Sequence, residues 1–168
     1  MEITKIGYLH SMSRRTVFSP CRDYRYTLWR EWDMHNLTYA MFIGLNPSTA
    51  DEVQDDPTVR RCIRYAKDWG YGALCMMNAF SYRATDPAVM KAQADPVGAD
   101  NVRWLVEMAQ GAGIIVAAWG VHGVHHERSD KVRELLAGNT ILHCLGRTKD
   151  GLPKHPLYLA ANTQPVIY

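Results

Sequence analysis

Residues 39–51, Tyr-Ala-Met-Phe-Ile-Gly-Leu-Asn-Pro-Ser-Thr-Ala-Asp, constrain the fold more than any other part of the chain. Tyr39 and the apolar run Ala40–Ile43 lead without a polar break into Gly44-Leu45-Asn46-Pro47-Ser48. A run without alternation suits a strand covered on both faces, as in a parallel sheet. The turn after it then stands at the strand's carboxyl end, where open α/β sheets place their ligands. Gly44 permits close backbone approach or a positive φ, and Pro47 stops the strand. Asn46 is held at the mouth with an amide that both donates and accepts. Alone, the motif is equally an ordinary strand-to-helix turn. Three later segments weight it toward a site.

Those segments repeat the pattern. Residues 73–77 read as a second buried strand, running into Asn78-Ala79-Phe80-Ser81-Tyr82-Arg83. Residues 114–118 are a third, ending in Trp119-Gly120, and residues 140–144 a fourth, with His155 beyond it. Helical spacing falls between them. Asp56 is an N-cap with Pro57 at the first helical position, and Val59, Cys62, Ile63, Ala66 and Trp69 form one face. Arg60, Arg61, Arg64 and Lys67 lie opposite, either a solvated face or a phosphate-contacting stripe. A short helix starts at Asp86-Pro87. A longer one spans 100–110, with Val102, Leu105, Val106 and Ala109 on its apolar side. A last one is capped by Ser129 or Asp130, with Val132, Leu135 and Leu136 inward. This alternation predicts a three-layer α/β/α fold on a short, mainly parallel four-stranded sheet.

The 168 residues are expected to form a single domain, with an α/β core over 39–159. Residues 1–38 carry the strand-forming segment Tyr24–Trp32 and read as an N-terminal β extension or flap. The start of the chain lacks the layout of a secretion signal, and no apolar run approaches the roughly 20 residues of a membrane span. Cys21, Cys62, Cys75 and Cys144 form no CxxC pair, and Cys62 and Cys75 fall on apolar positions, so free thiols in a reducing cytoplasm are expected. The formal charge of +2 permits nucleic-acid binding without requiring it. His122, His125 and His126 would share one face if helical, the only arrangement suggesting a metal. No carboxylate-rich motif accompanies them, and neither a metal nor another cofactor is expected.

Taken in order, Gly-Leu-Asn-Pro-Ser48, Leu-Cys-Met-Met-Asn-Ala79, Ile-Ile-Val-Ala-Ala-Trp-Gly120 and His155-Pro-Leu-Tyr158 resemble the motif series of the uracil-DNA glycosylase superfamily. Over nearly its full length the chain also resembles the DUF1643 family, through Tyr-Arg-Tyr-Thr-Leu-Trp-Arg, Asn-Pro-Ser-Thr-Ala-Asp, Asp-Pro-Thr and Ala-Trp-Gly. The first resemblance implies cleavage of an N-glycosidic bond, for which a protein needs a positioned water, donors aimed at the base and a pocket for the flipped base. It assigns water positioning to Asn46, base recognition to Asn78 and donation to the departing base to His155. Phe80 or Tyr82 would stack on the base, and Asp51 or Asp56 would supply a general base or only cap a helix. Gly44, Leu45, Pro47, Ser48, Arg83, Trp119, Gly120, Pro156 and Tyr158 complete the expected binding surface. Asn46 stands where the most active branch has a carboxylate, and Leu157-Tyr158 where small residues are usual. The implied substrate is a uracil-like or modified base in single- or double-stranded DNA, with a free base or nucleotide as the other possible partner and no obligate protein partner. The rival readings are a binding module using the same pocket and an N-glycosidase or base transferase acting on nucleotides.

Overall fold

The computed structural model describes residues 12–138 and 140–168. Seven strands form one mixed sheet: β1 (Ser13–Phe18), β2 (Arg25–Glu31), β3 (Tyr39–Gly44), β4 (Ala73–Asn78), β5 (Ile114–Ala117), β6 (Leu142–Cys144) and β7 (Val166–Ile167). Their spatial order is β1-β2-β4-β3-β5-β6-β7. The pairs β4–β3, β3–β5 and β5–β6 are parallel. The pairs β1–β2, β2–β4 and β6–β7 are antiparallel. The α/β class therefore stands, but the sheet is not the short four-stranded one expected. Antiparallel strands extend it on both sides, and β7 lies beyond the expected core of 39–159. The part of the expected N-terminal extension on residues 1–11 lies outside the described residues.

Period-two geometry explains why the central strands are apolar throughout. On β3, Ala40 and Phe42 enter one core while Met41 and Ile43 enter the other; on β4, Leu74 and Met76 oppose Cys75 and Met77. Helix α1 (Pro57–Asp68) covers the first face with Val59, Cys62, Ile63, Tyr65 and Ala66. Helices α3 (Asn101–Gly111) and α4 (Arg128–Leu136) cover the second with Leu105, Ala109, Val132 and Leu136. Helix α2 (Pro87–Lys91) is a single short element capped by Asp86, whose side chain accepts from the Ala88 amide.

Three local expectations are corrected. Helix α4 begins at Arg128 after Glu127 in a left-handed conformation (φ 55°), so Ser129 and Asp130 lie inside the helix and do not cap it. Strand β6 starts at Leu142 instead of residue 140: the Thr140 hydroxyl turns back to the Leu136 carbonyl at 2.5 Å, and Ile141 is exposed. The inward face of α3 is Asn101, Leu105 and Ala109, while Val102 is exposed. Among the described residues no helix is long and apolar enough to cross a membrane.

Candidate functional site

The carboxyl ends of β3, β4 and β5 open into a cavity of about 430 Å³. Gly44, Leu45, Asn46 and Ser48 border it from the turn after β3, Asn78 from the end of β4, and Trp119 and Gly120 from the end of β5. His155 and Tyr158 close it from the last loop. These nine expected residues thus share one concavity. Volumes of ~300–1,000 Å³ are usual for sites that take a small ligand.

The remaining expected residues stand elsewhere, each for a physical reason. Phe80 is fully buried in the second core, its ring centroid 5.7 Å from that of His125. Tyr82 meets Tyr24 edge-on at 5.5 Å and offers only its carbonyl toward Asn46. Neither aromatic presents a stacking face to the cavity. The Arg83 guanidinium lies over Phe18 and donates to the Arg22 carbonyl at 3.1 Å. Pro47 and Pro156 are buried and do not border the cavity. Asp51 closes its own loop: its Oδ1 accepts from the Val53 and Gln54 amides, both at 2.8 Å. Those two donors hold its carboxyl below the usual range, and it does not border the cavity.

Asn46 is oriented by its neighbours. Its Nδ2 donates to the carbonyls of Ala84 (2.8 Å), Pro47 (3.1 Å) and Tyr82 (3.4 Å). Three acceptors around one end of the amide make that end the nitrogen, so Oδ1 is the atom left over for a ligand or water. His155 is oriented in the same way. Its Nδ1 accepts from the Leu157 amide at 3.3 Å and caps the 3₁₀ turn Pro156–Tyr158. A nitrogen that accepts carries no proton, so the neutral ring bears its hydrogen on Nε2. Burial lowers the imidazole's pKa, opposed by the carboxylate of Asp56, and favours this neutral form.

Asn78 is 2% exposed, and its Nδ2 has no partner among the described residues. Its seat exists because residue 44 is glycine. A Cβ there would come within 2.9 Å of both Asn78 Oδ1 and the Met76 methyl. A buried network braces the same turn from below. Asn101 Nδ2 donates to the Asn78 carbonyl at 2.9 Å and to Ser81 Oγ at 2.7 Å. Arg128 donates from Nε to the Ala79 carbonyl at 2.7 Å and from Nη2 to Asn101 Oδ1 at 2.5 Å. Trp119, 1% exposed, also has an unpartnered Nε1, and Gly123 leaves room for its indole.

Sequence reasoning left two cavity residues undecided. Asp56 was legible as a cap, and it is one: Oδ1 accepts from the Val59 amide at 2.8 Å. It is also the carboxylate that borders the cavity, in the place Asp51 does not take. Arg25 stood only as part of the strand-forming segment Tyr24–Trp32. It is 2% exposed, borders the cavity, donates from Nη1 to the Ala50 carbonyl at 2.8 Å, and has an unpartnered Nε. Its signal was a cation inside an otherwise strand-forming segment, where a charge must be paired, exposed or used.

Two further features take up the basic and histidine-rich segments. On α1, Arg60 donates to the Asp55 carbonyl, Arg61 to that of Leu159, and Arg64 pairs with Asp68, so much of the basic stripe is engaged within the molecule. The segment Val121–Glu127 is a 3₁₀ turn broken at His125 and His126, which dissolves the shared helical face expected of the histidines. His122 borders the cavity, with Nδ1 3.0 Å from Lys91 Nζ.

A family model described as a protein of unknown function, DUF1643, matches residues 25–157. The chain belongs to the DUF1643 family. No curated protein and no solved structure matches it. In this DUF1643 chain the family match runs from Arg25 to Leu157, so both Arg25 and His155 fall inside it.

Proposed function

We propose that the cavity receives a nucleobase bearing carbonyl oxygens and that the protein hydrolyses its N-glycosidic bond in DNA. One observation carries this reading: Asn78 and His155, which both border the cavity, have side-chain N–H donors that no described residue accepts. Asn78 Nδ2 is a buried N–H group without a partner among the described residues, and His155 adds the Nε2 proton implied by its cap. A buried donor left unpaired costs roughly 1–3 kcal/mol, which an acceptor-rich ligand would offset. A uracil-like ring, with two carbonyls flanking a nitrogen, has that character. The motif order resembling the uracil-DNA glycosylase superfamily lends further support.

The step would run as follows. Asn46 Oδ1 accepts a hydrogen from a water and orients it, but an amide cannot take the proton. The Asp56 carboxylate accepts it as the water oxygen bonds to the anomeric carbon. The bond from that carbon to the base nitrogen breaks, and its electron pair leaves with the base. Hydrogen bonds from His155 Nε2 and Asn78 Nδ2 stabilise the departing anion. Donors aimed at developing charge in a water-poor site contribute most to such catalysis.

The test is alkaline cleavage of duplexes and single strands carrying uracil, hydroxymethylated or glucosylated bases. Abasic product is expected from at least one. His155→Ala should slow its formation by ~10²–10³, about 2.7–4 kcal/mol, the usual effect of losing one such donor. Asn78→Asp should change which base is accepted, because a carboxylate only accepts. Tight binding of intact substrate with no abasic product would make the pocket a binding module. Wild-type behaviour of both variants on a cleaved substrate would put the site elsewhere.

A further inference from the structure

A buried guanidinium with nothing charged to hold is out of place in a folded core. Arg25 is 2% exposed and borders the cavity, yet among the described residues no carboxylate lies within ion-pair distance of it. Its neighbour on β2, Arg30, shows what a structural arginine does here: it is fully buried and its Nε binds Asp55 at 2.7 Å. Arg25 instead spends one N–H on the Ala50 carbonyl and leaves Nε unpartnered. Burial lowers its pKa to about 10, partly opposed by the carboxylate of Asp56, so the cation persists at neutral pH. Thr58, in the first turn of α1, also borders the cavity. Guanidinium is the side chain best matched to phosphate oxygens, through paired charge-assisted hydrogen bonds.

We infer that Arg25 binds the phosphate of the nucleotide whose base enters the cavity. This rests on the nucleobase reading above and deepens it, because it makes the ligand a nucleotide and not a free base or nucleoside. The phosphate is either the 5′-phosphate of a free nucleotide or the backbone phosphate beside a flipped base. A cavity of about 430 Å³ has room for more than a single ring. The neutral N–H donor at Asn78 then serves the base, and the cation at Arg25 serves the anion.

Calorimetry on the full chain tests this with four probes: uridine, uridine 5′-monophosphate, thymidine 5′-monophosphate and a short single-stranded oligonucleotide carrying uracil. A phosphate-bearing probe should bind roughly tenfold or more tightly than uridine. Preference for the monophosphates assigns the phosphate to a free nucleotide; preference for the oligonucleotide assigns it to a backbone. Arg25→Gln should erase the gap between phosphate-bearing and uncharged probes. Should that variant fail to fold, inorganic phosphate titrated into the wild-type protein must shift the Arg25 Nε–H resonance. Equal affinity for charged and uncharged probes, no binding of any phosphate-bearing probe, or an unmoved Arg25 resonance overturns the inference. Base release from DNA with no affinity gap sinks this inference alone. A gap without base release sinks only the hydrolytic reading.

Discussion

Gly44 shows how one missing atom shapes the site. It occupies the last position of β3, in register with Asn78 on β4. Its φ is not in the left-handed region, so flexibility is not the reason for glycine here. Space is: a Cβ would sit 2.9 Å from Asn78 Oδ1 and 2.9 Å from the Met76 methyl. Met76 has a flexible end and can give way, whereas the Asn78 amide can move only by leaving its place at the cavity. Gly44→Ala is therefore expected to cost about 1–3 kcal/mol through overpacking. It should weaken nucleobase or nucleotide affinity by more than that stability loss explains. Urea unfolding and calorimetry on the same sample separate the two, and unchanged affinity would mean that Asn78 does not read the ligand. Such an effect is partly legible in the sequence. The Gly-Leu-Asn-Pro turn marks the place, but the partner across the sheet becomes known only with the register.

At the scale of elements, α3 and α4 matter for what their first residues do. Asn101 opens α3 and Arg128 opens α4, and together they bind the Asn78 carbonyl, the Ala79 carbonyl and Ser81 Oγ. Two helices packed on one face of the sheet thus hold the turn after β4. Asn101→Leu would leave Arg128 Nη2 and Ser81 Oγ without their partner in a buried place. Each orphaned group costs roughly 1–3 kcal/mol, with the charged one at the upper end. Denaturant midpoints should fall accordingly, whereas Val102→Ala, on the exposed side, should change little. Equal effects of the two substitutions would show that the network is not structural. The sequence hid this because α3 carries two candidate apolar stripes. Val102 and Val106 fit the helical period as well as Leu105 and Ala109 do, and the need to bury Asn101 beside Arg128 decides between them. The central strands were legible for the opposite reason: residues buried on both faces make an unbroken apolar run. Strands β1 and β7 were harder to see because β1 is at most half-buried and β7 is two exposed residues, so neither carries an apolar run. Arg25 and Arg30 were illegible as buried groups because a charge in a strand segment ordinarily signals solvent.

Across the whole molecule, acid should act in two separate steps. Burial lowers the pKa of His155 and, with help from His126 and Lys91, that of His125, both below the ordinary 6.5. For such a group the unfolded chain binds the proton first. Stability is then complete above about pH 6.5 and declines as pH falls from there toward the lower folded values. Asp51 works lower down. Its carboxyl is held below the ordinary 3.8 by the Gln54 and Val53 amides, so its contribution persists until pH falls through that range. A series of urea midpoints should accordingly decline first below about pH 6.5, and again at carboxylate titration. His155→Asn isolates the site's share of the first decline. Asparagine keeps an acceptor suited to the Leu157 amide at a cap position and carries no titrating group. The variant should match the wild type above pH 7 and lose less stability on acidification toward about pH 5, with the remaining slope set by His125. An identical pH profile in the two proteins would mean that the imidazole gains its proton as easily folded as unfolded. That would mean that a proton added at Nδ1 does not break the Leu157 cap, and the cap would no longer fix Nε2 as the neutral ring's donor at the cavity.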